Sequence, residues 1–314
     1  MRLGRQGMIV APARTRSRRR VARLVHSWRG PGQGYWGFLF VLPILILFVV
    51  FKFQPIARAA YLSLTDANPF NPVHAFVGAA NYAQLLSDSR FINSIGVTAR
   101  YVTGAVIPIV VLSLALALML NEAIRGMRIY RVLTFLPSII PIIVVPILWQ
   151  FLYHRYGLVN TGLEAIGLNG VNWLFDKAAV IPAFIIATDW RIIPLFAIVY
   201  LAGLQSIPED LYDASKVDGA SMVQRFRWIT LPMLRPTMLV VLVISTLFCA
   251  RSFVIAFVLT GGGPDNASQT LSVFIYQAGF QFFRVGYASA ASMLLLVGMV
   301  SVTLLFLRIF RSDD

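Results

Sequence analysis

Apolar residues along this chain are gathered into runs long enough to cross a lipid bilayer. A transmembrane helix needs about 20 apolar residues, because the hydrocarbon core is roughly 30 Å thick. Six runs meet this requirement, and each predicts one helix. We therefore predict an all-α polytopic membrane protein with about six transmembrane helices. The runs are 36–53, 95–120, 132–152, 180–204, 238–259 and 288–310.

A charged, amphipathic segment, residues 206–232, separates the fourth run from the fifth. It contains two pairs with the S-x-x-E/Q spacing of a capping box, in which each side chain satisfies an orphan backbone N–H at the start of a helix. Gly219 lies between the two candidate helices, and glycine favours the left-handed conformation after a helix C-terminus. We predict two short helices joined at Gly219, the second ending before Pro232. The capping pairs are Ser206 with Glu209 and Ser221 with Gln224.

This polar hairpin has two possible uses: it docks onto a partner protein, or it packs against its own helical bundle. The small side chains of Ala214 and Ser215 would let another surface approach the first helix closely. Charge holds the hairpin outside the bilayer, so it does not span the membrane.

Proline is common inside the apolar runs. Each proline removes a backbone donor and bends a helix, which a membrane protein tolerates when neighbouring helices or cavity water satisfy the freed carbonyl. The cluster in the third run suggests either simple packing kinks or a wall that shapes a cavity. The prolines are Pro108, Pro137, Pro141, Pro146, Pro182 and Pro194.

Composition and charge support the membrane class and suggest a topology. The chain of 314 residues is 58% hydrophobic and 13% charged, with a net charge of +14. Residues 1–35 hold nine arginines and no acid, so we predict a basic cytoplasmic tail followed by a transmembrane domain at 36–314. A topology signal explains this tail better than an arm for nucleic acid or anionic lipid. The connections near Arg125 and Lys216 also hold several Lys and Arg residues, which favours the cytoplasmic side, and six spans then place both termini in the cytoplasm.

Enzyme chemistry finds little support in the sequence. The single cysteine, Cys249, excludes an internal disulfide and a CxxC motif. The three histidines, His26, His74 and His154, lie far apart, so we predict neither a catalytic nor a metal site. No phosphate-binding loop of the G-x-x-x-x-G-K-[ST] type occurs, so any ATP hydrolysis must take place on another chain.

The segment 206–232 resembles the cytoplasmic coupling loop of permease subunits in binding-protein-dependent ABC importers. The family pattern is E-A-A, three residues, Gly, nine residues, I-x-L-P. Here Asp213-Ala214-Ser215 precedes Gly219 by three residues, and Ile229-Thr230-Leu231-Pro232 follows after nine more. Asp213 and Ser215 depart from the pattern but keep charge or size. The resemblance assigns ATPase coupling to Tyr212, Asp213, Ala214, Ser215, Asp218, Gly219, Ile229, Leu231 and Pro232.

Two further segments are similar to the carbohydrate-uptake branch of these permeases: FVGAANY at 76–82 and VLTGGGP at 258–264. The resemblance implies the fold of a type I importer permease, similar to the maltose-type permeases. It also implies three partners: a second permease, usually a different chain, an ATPase dimer that binds ATP and Mg, and an extracytoplasmic solute-binding protein. The rival is an ion-coupled secondary transporter, which would need intramembrane ionisable groups.

Asp189, Arg191 and Arg251 are the candidate residues of the substrate path. Asp189 is the one acid well inside a span, and an intramembrane charge normally faces the bundle interior or a wet cavity. Many sugar permeases of this branch carry an acid after the Phe of the fifth span, where this chain has Val254 after Phe253. Arg251 therefore either pairs with Asp189 or lines the path, and Arg191 is a second possible partner. If Arg251 lines the path, it would favour an anionic solute such as a glycerol phosphate or its diester. If Arg251 is a structural partner of Asp189, a neutral sugar is the expected solute.

Overall fold

The computed structural model describes residues 33–71, 73–122 and 127–310. These residues form helices and no β-strand, apart from isolated bridges in one loop, which confirms the all-α prediction. The chain divides into two units, Met1–Arg58 and Ala59–Asp314. Residues 1–32 of the predicted basic tail, and Arg125 of a predicted cytoplasmic connection, lie outside the described residues.

The first unit contributes one long apolar helix. Helix α1 (Gln33–Phe48) continues through a π-helical turn (Val49–Phe53) into α2 (Gln54–Leu62), whose end belongs to the second unit. The stretch Phe38–Leu62 is 25 residues long, with a mean hydropathy of 2.3, and the described residues bury none of its most apolar part. Its length and composition suit a membrane span that extends beyond the predicted end at residue 53.

The second unit contains the remaining helices, three of which are each long and apolar enough to cross a membrane. Its helices are α3 (Ala80–Ser87), α4 (Ser89–Asn121), α5 (Met127–Ile139), α6 (Val144–Leu152), α7 (Leu158–Ala165), α8 (Val180–Gln205), α9 (Glu209–Val217), α10 (Met222–Arg225), α11 (Leu231–Met233), α12 (Arg235–Ala250), α13 (Val254–Thr260), α14 (Leu271–Tyr276) and α15 (Val285–Ile309). π-Helical turns lie at Phe226–Thr230 and Gln277–Gln281.

Four helices are each long and apolar enough to cross a membrane, and two bent pairs raise the number to as many as six. The third predicted span is not straight: α5 and α6 meet at an angle of 101°. Pro141 lies in the break between them and cannot donate a backbone hydrogen bond, which explains why one apolar run becomes two helices. Pro146 and Pro182 instead lie in the first turns of α6 and α8, where the missing donor costs no internal bond.

The fifth predicted span is interrupted as well. Helix α12 ends at Ala250 and α13 begins at Val254, with Arg251 in the break. At the N-terminal side, α12 meets the helical stretch Met222–Met233 at 65°. The prediction that the glycine run ends this span is confirmed, because Gly261 has φ +64° and its N–H bonds the carbonyl of Phe257.

The core of the second unit lies between α4 and α8, which make the most extensive helix–helix contact. Tyr101 and Phe184 are fully buried there, with their rings edge to face at a centroid distance of 6.4 Å. The Tyr101 hydroxyl lies 2.7 Å from Oγ1 of Thr188. A Cβ at Gly104 would lie 2.5 Å from Cδ1 of Ile185, so this glycine allows the two helices to approach closely.

The FVGAANY segment at 76–82 holds the loop after α2 in place through hydrogen bonds. Asn81 is buried, and its Nδ2 donates to the carbonyls of Ser63 at 2.9 Å and Thr65 at 2.8 Å. The Tyr82 hydroxyl lies 2.7 Å from Oγ of Ser63. Gly78 has φ +58°, a left-handed turn that glycine adopts without steric cost. These contacts give the segment a structural purpose, because they tie the loop to the start of α3.

Candidate functional site

Residues 206–232, named the insert below, join α8 to α12. Its first helix, α9, begins after Pro208, and Glu209 and Asp210 lie in the first turn, where acids favour the positive end of the helix dipole. The predicted capping box of Ser206 with Glu209 is wrong. Helix α8 runs on to Gln205, so Ser206 caps its C-terminus and donates from Oγ to the carbonyl of Gly203 at 2.7 Å.

The turn between the two helices has the predicted left-handed glycine, with φ +73° at Gly219. The N–H of Ala220 donates to the carbonyl of Ser215 at 2.9 Å, and that of Gly219 to Lys216 at 3.1 Å. These two bonds form a Schellman motif, which satisfies the last carbonyls of α9. A Cβ at Gly219 would meet no atom within 4 Å, so only the backbone conformation requires glycine here.

The second helix of the insert starts at the capping box that the sequence predicts. The Ser221 N–H donates to Oε1 of Gln224 at 2.7 Å, and the Gln224 N–H donates to Oγ of Ser221 at 3.3 Å. The sequence suggested that this helix ends before Pro232, but the helix continues beyond that point. The π-helical turn lets the N–H of Leu231 reach back to Phe226, so Pro232 continues the helix to Met233.

One face of the insert packs against its own bundle. The Tyr212 hydroxyl lies 2.9 Å from Oγ1 of Thr230, which joins the two helices of the hairpin. Ser215 is buried and donates from Oγ to the carbonyl of Tyr212 at 2.7 Å. Tyr212, Ile229 and Leu231 pack against the hydrophobic core. Ser215 therefore faces the chain itself, contrary to the expectation that it lies open to another surface.

The opposite face of the insert is exposed and carries apolar residues around the turn. Val217 is 89% exposed, and Met222 and Val223 are each 74% exposed. Ala214 and Asp218 are exposed beside them, and so is Asp213, which forms an ion pair with Lys216 at 2.8 Å. Exposed apolar patches rimmed by polar residues are typical of protein interaction sites. Val217 and Met222 were not predicted as site residues, although their positions on either side of Gly219 were a usable signal.

The insert is directly continuous with two long helices that touch one another. A Cβ at Gly203 of α8 would lie 2.6 Å from Oγ1 of Thr237 in α12. Leu234, which separates α11 from α12, is fully buried at the same contact. Only the turn 206–208 separates α8 from α9, and only Leu234 separates α11 from α12, so the insert lies close to both long helices along the chain.

Of the two alternatives for Arg251, the ion pair with Asp189 is not formed among the described residues. Asp189 is 7% exposed, and its Oδ1 has no hydrogen-bond partner among the described residues. Neither Arg191 nor Arg251 makes an ion pair with it. Residues two apart on a helix point to different faces, and Arg191 donates from Nε to the carbonyl of Ile140 at 3.3 Å. Arg251 is exposed at the end of α12.

Comparisons with known proteins agree with this architecture. Residues 109–312 match the family described as binding-protein-dependent transport system inner membrane component. The trehalose/maltose transport system permease protein MalF of Thermococcus litoralis is 37% identical over 88% of this chain and 95% of its own length. The sulfoquinovosyl glycerol transport system permease protein SmoG of Agrobacterium fabrum is 32% identical over 91% of this chain and 94% of its length.

Solved structures of a bacterial ABC transporter for the acidic polysaccharide alginate contain a similar chain. One matches with a TM-score of 0.77 and 27% identity over 91% of this chain and 98% of that chain. A second, in complex with a periplasmic protein bound to an alginate pentasaccharide, matches with a TM-score of 0.77 and 26% identity over 90% of this chain and 96% of that chain. The apolar helices, the insert and these matches lead to one conclusion: the chain is a membrane-spanning transport permease that belongs to the family of binding-protein-dependent transport system inner membrane components.

Proposed function

We propose that this permease and a second permease subunit together form the path by which a sugar, or a sugar-like polar solute, enters the cell. The substrate class is supported by relatives named for trehalose and maltose and for sulfoquinovosyl glycerol. The solute arrives on an extracytoplasmic binding protein, and an alginate transporter of similar fold has been solved with such a protein. The full solute specificity, including a choice between a neutral sugar and a glycerol phosphate, depends on the residues along the path.

The observation that carries the proposal is the two-faced geometry of the insert. Its inner face is fixed to the bundle by Tyr212 and Thr230, while Val217, Met222 and Val223 project outward around the Gly219 turn. A rigid apolar projection of this kind suits a cleft on a separate ATPase subunit. The two ATPase subunits would bind ATP and Mg, and their closure would move the insert.

The mechanism follows from the continuity of the insert with α8 and α12. Displacement of the Gly219 turn tilts both helices, because they touch at Gly203 and Thr237. Access to the path then depends on the nucleotide state of the ATPase, which is a coupling free energy between distant sites. Residues of this chain transmit the displacement and form the wall of the path, and the ATPase subunits hydrolyse ATP.

We propose that the insert lies in the cytoplasm. The basic tail at 1–35 and the basic residues of the insert favour the cytoplasmic side. Helix α8 has 26 residues, a length of about 39 Å at 1.5 Å per residue, so the loop before Val180 lies at the opposite, extracytoplasmic end. Both chain termini then lie in the cytoplasm.

Asp189, Arg191 and Arg251 remain our candidates for the path. Asp189 has a buried carboxylate oxygen without a partner among the described residues, whereas buried polar groups ordinarily have one. Arg251 stands in the break between α12 and α13, where its guanidinium is open to an approaching solute. Arg251 makes no ion pair with Asp189 among the described residues, so the structural alternative finds no support there.

Reconstitution tests this function. The chain would be co-expressed with the second permease and the ATPase and purified as a complex. The complex would be placed in proteoliposomes, with the solute-loaded binding protein outside. We expect uptake of a sugar that requires ATP inside and all four proteins. Uptake by the isolated chain in response to an ion gradient would instead support the ion-coupled alternative.

A further inference from the structure

A pocket of about 320 Å³ opens at the end of α6, far from the insert. Its wall combines aromatic and polar side chains, a composition and size typical of small-molecule sites. It lies in the second unit, near the N-terminal end of α8. The residues that define it are Gln150, Tyr153, His154, Arg155, Asn172 and Trp173.

The aromatic part of the pocket is the outer end of a column of rings. Trp173 stacks on Tyr153 at a centroid distance of 5.3 Å, and Tyr153 contacts Trp149 at 4.9 Å. Trp149 in turn meets Trp190 edge to face at 5.8 Å. The column therefore runs from the pocket to the side of α8 that carries Trp190.

The position of Trp173 is fixed by hydrogen bonds. Its Nε1 donates to Oδ1 of Asn160 at 3.1 Å, and Asn160 is fully buried. Asn160 also donates from Nδ2 to the carbonyls of His154 at 3.2 Å and Val171 at 3.1 Å. The Tyr153 hydroxyl donates to the carbonyl of Ala183 at 2.9 Å. A ring surface held this firmly needs little ordering when a ligand binds, which favours affinity.

The loop that carries Trp173 is also tied to the glycine-rich loop after α13. Lys177 and Asp265 form an exposed ion pair at 2.8 Å. The hydrogen bond and the charge of Lys177 lower the pKa of the Asp265 carboxyl below its ordinary value. Lys177 thereby neutralises the acid closest in sequence to the glycine run, and neither residue lines the pocket.

The polar groups of the pocket are cationic or neutral. Arg155 is exposed and, within the described part of the chain, makes no ion pair or side-chain hydrogen bond. Gln150 uses its Nε2 on the carbonyl of Val258 at 2.6 Å, which leaves Oε1 as an acceptor. Asn172 is exposed beside them. No aspartate or glutamate lines the pocket, so no acid of the lining opposes the charge of Arg155.

We propose that this pocket is a receiving site for one ring of an acidic sugar. The flat face of a sugar ring carries C–H groups that pack on an aromatic surface, here the indole of Trp173. Arg155 would bind the carboxylate, sulfonate or phosphate of the sugar through two parallel hydrogen bonds, and Gln150 and Asn172 would bind hydroxyls. The proposal rests on the proposed function and on its topology, which place the pocket where solute leaves the binding protein.

Ligand binding to the intact complex tests the proposal without requiring transport. The assembled complex in nanodiscs would be titrated by saturation-transfer NMR with two disaccharides of matched size, maltose and one that bears a glucuronic acid. We expect the acidic probe to bind about tenfold more tightly, as one charge-assisted contact provides. Arg155→Gln should abolish this difference, and Trp173→Ala should weaken both probes about tenfold.

Tyr156→Ala is the matched control, because Tyr156 lies in the same turn, is 86% exposed and does not line the pocket. It should change neither affinity. Trp173→Phe, which keeps an aromatic ring, should bind more tightly than Trp173→Ala and shows that the loop still folds. Equal affinity of the two probes for the native complex, or an unchanged preference in Arg155→Gln, would overturn the proposal. Sugar uptake without pocket binding would refute the pocket alone, and pocket binding without any sugar uptake would refute the proposed function.

Discussion

Gly286 and Gly219 are required for different physical reasons. At Gly286 the loop after α2 presses on the backbone: an added Cβ would lie 2.1 Å from the carbonyl oxygen of Thr65, and the Gly286 N–H donates to Ala67. At Gly219 space is open, and the left-handed backbone conformation is the only constraint. Gly286 is required for close packing, and Gly219 is required for the direction in which the chain turns.

Gly286→Ala should therefore destabilise the fold. The clash involves backbone atoms that cannot rotate away, and overpacking of this kind typically costs about 1–3 kcal/mol. Thermal unfolding of the purified chain in detergent would measure the loss. Gly298→Ala in the same helix is the control, because no atom lies within 4 Å of its Cβ position. Equal stability of the two variants would contradict the close approach.

At the scale of elements, hydropathy predicted which segments are helical but not where they break. The run at 132–152 had the composition of one span, and its division into α5 and α6 depends on Pro141 and on packing against α8. The Ser221 cap and the Gly219 turn were predictable because both are local. The actual role of Ser206 was not predictable from the sequence, because the end of α8 is fixed by tertiary contacts. The missing Asp189–Arg251 ion pair depends on helix rotation, which sequence spacing does not specify.

The break between α12 and α13 gives Arg251 a testable role. If Arg251 lines the path, Arg251→Gln should reduce uptake of a phosphorylated glycerol compound while the complex and its ATPase activity remain intact. Loss of a single charge-assisted hydrogen bond corresponds to about a tenfold decrease or more. Unchanged uptake, or loss of the complex from the membrane, would assign Arg251 a structural role and favour a neutral sugar.

For the whole molecule, the arginines of the tail and the Lys and Arg residues of the insert favour the proposed orientation in the membrane. Charge bias is local to the span ends, so it was readable from sequence. The sequence does not show which apolar helices face lipid and which face partner subunits, because an apolar surface looks the same in both cases. The described residues bury none of the most apolar part of Phe38–Leu62, which is consistent with either environment.

Protease accessibility in intact cells tests this orientation. The loop around Asp265 should be cleaved from outside, because it lies at the opposite end of the bundle from the insert. The loop around Lys216 should be protected, and a reporter fused after Asp314 should be active only on the cytoplasmic side. Cleavage near Lys216 from outside would exclude the proposed topology.

The central claim is that the Gly219 turn couples ATP hydrolysis to transport, and the decisive measurement is ATP-driven solute uptake into proteoliposomes by two variants of this residue. Valine at φ +73° is strongly disfavoured, whereas asparagine adopts left-handed conformations at modest cost. We expect the Gly219→Val complex to assemble and solute binding to the binding protein to stay intact while uptake is lost, whereas Gly219→Asn should retain most of the uptake. Normal uptake by Gly219→Val, or equal loss in both variants, would contradict the account.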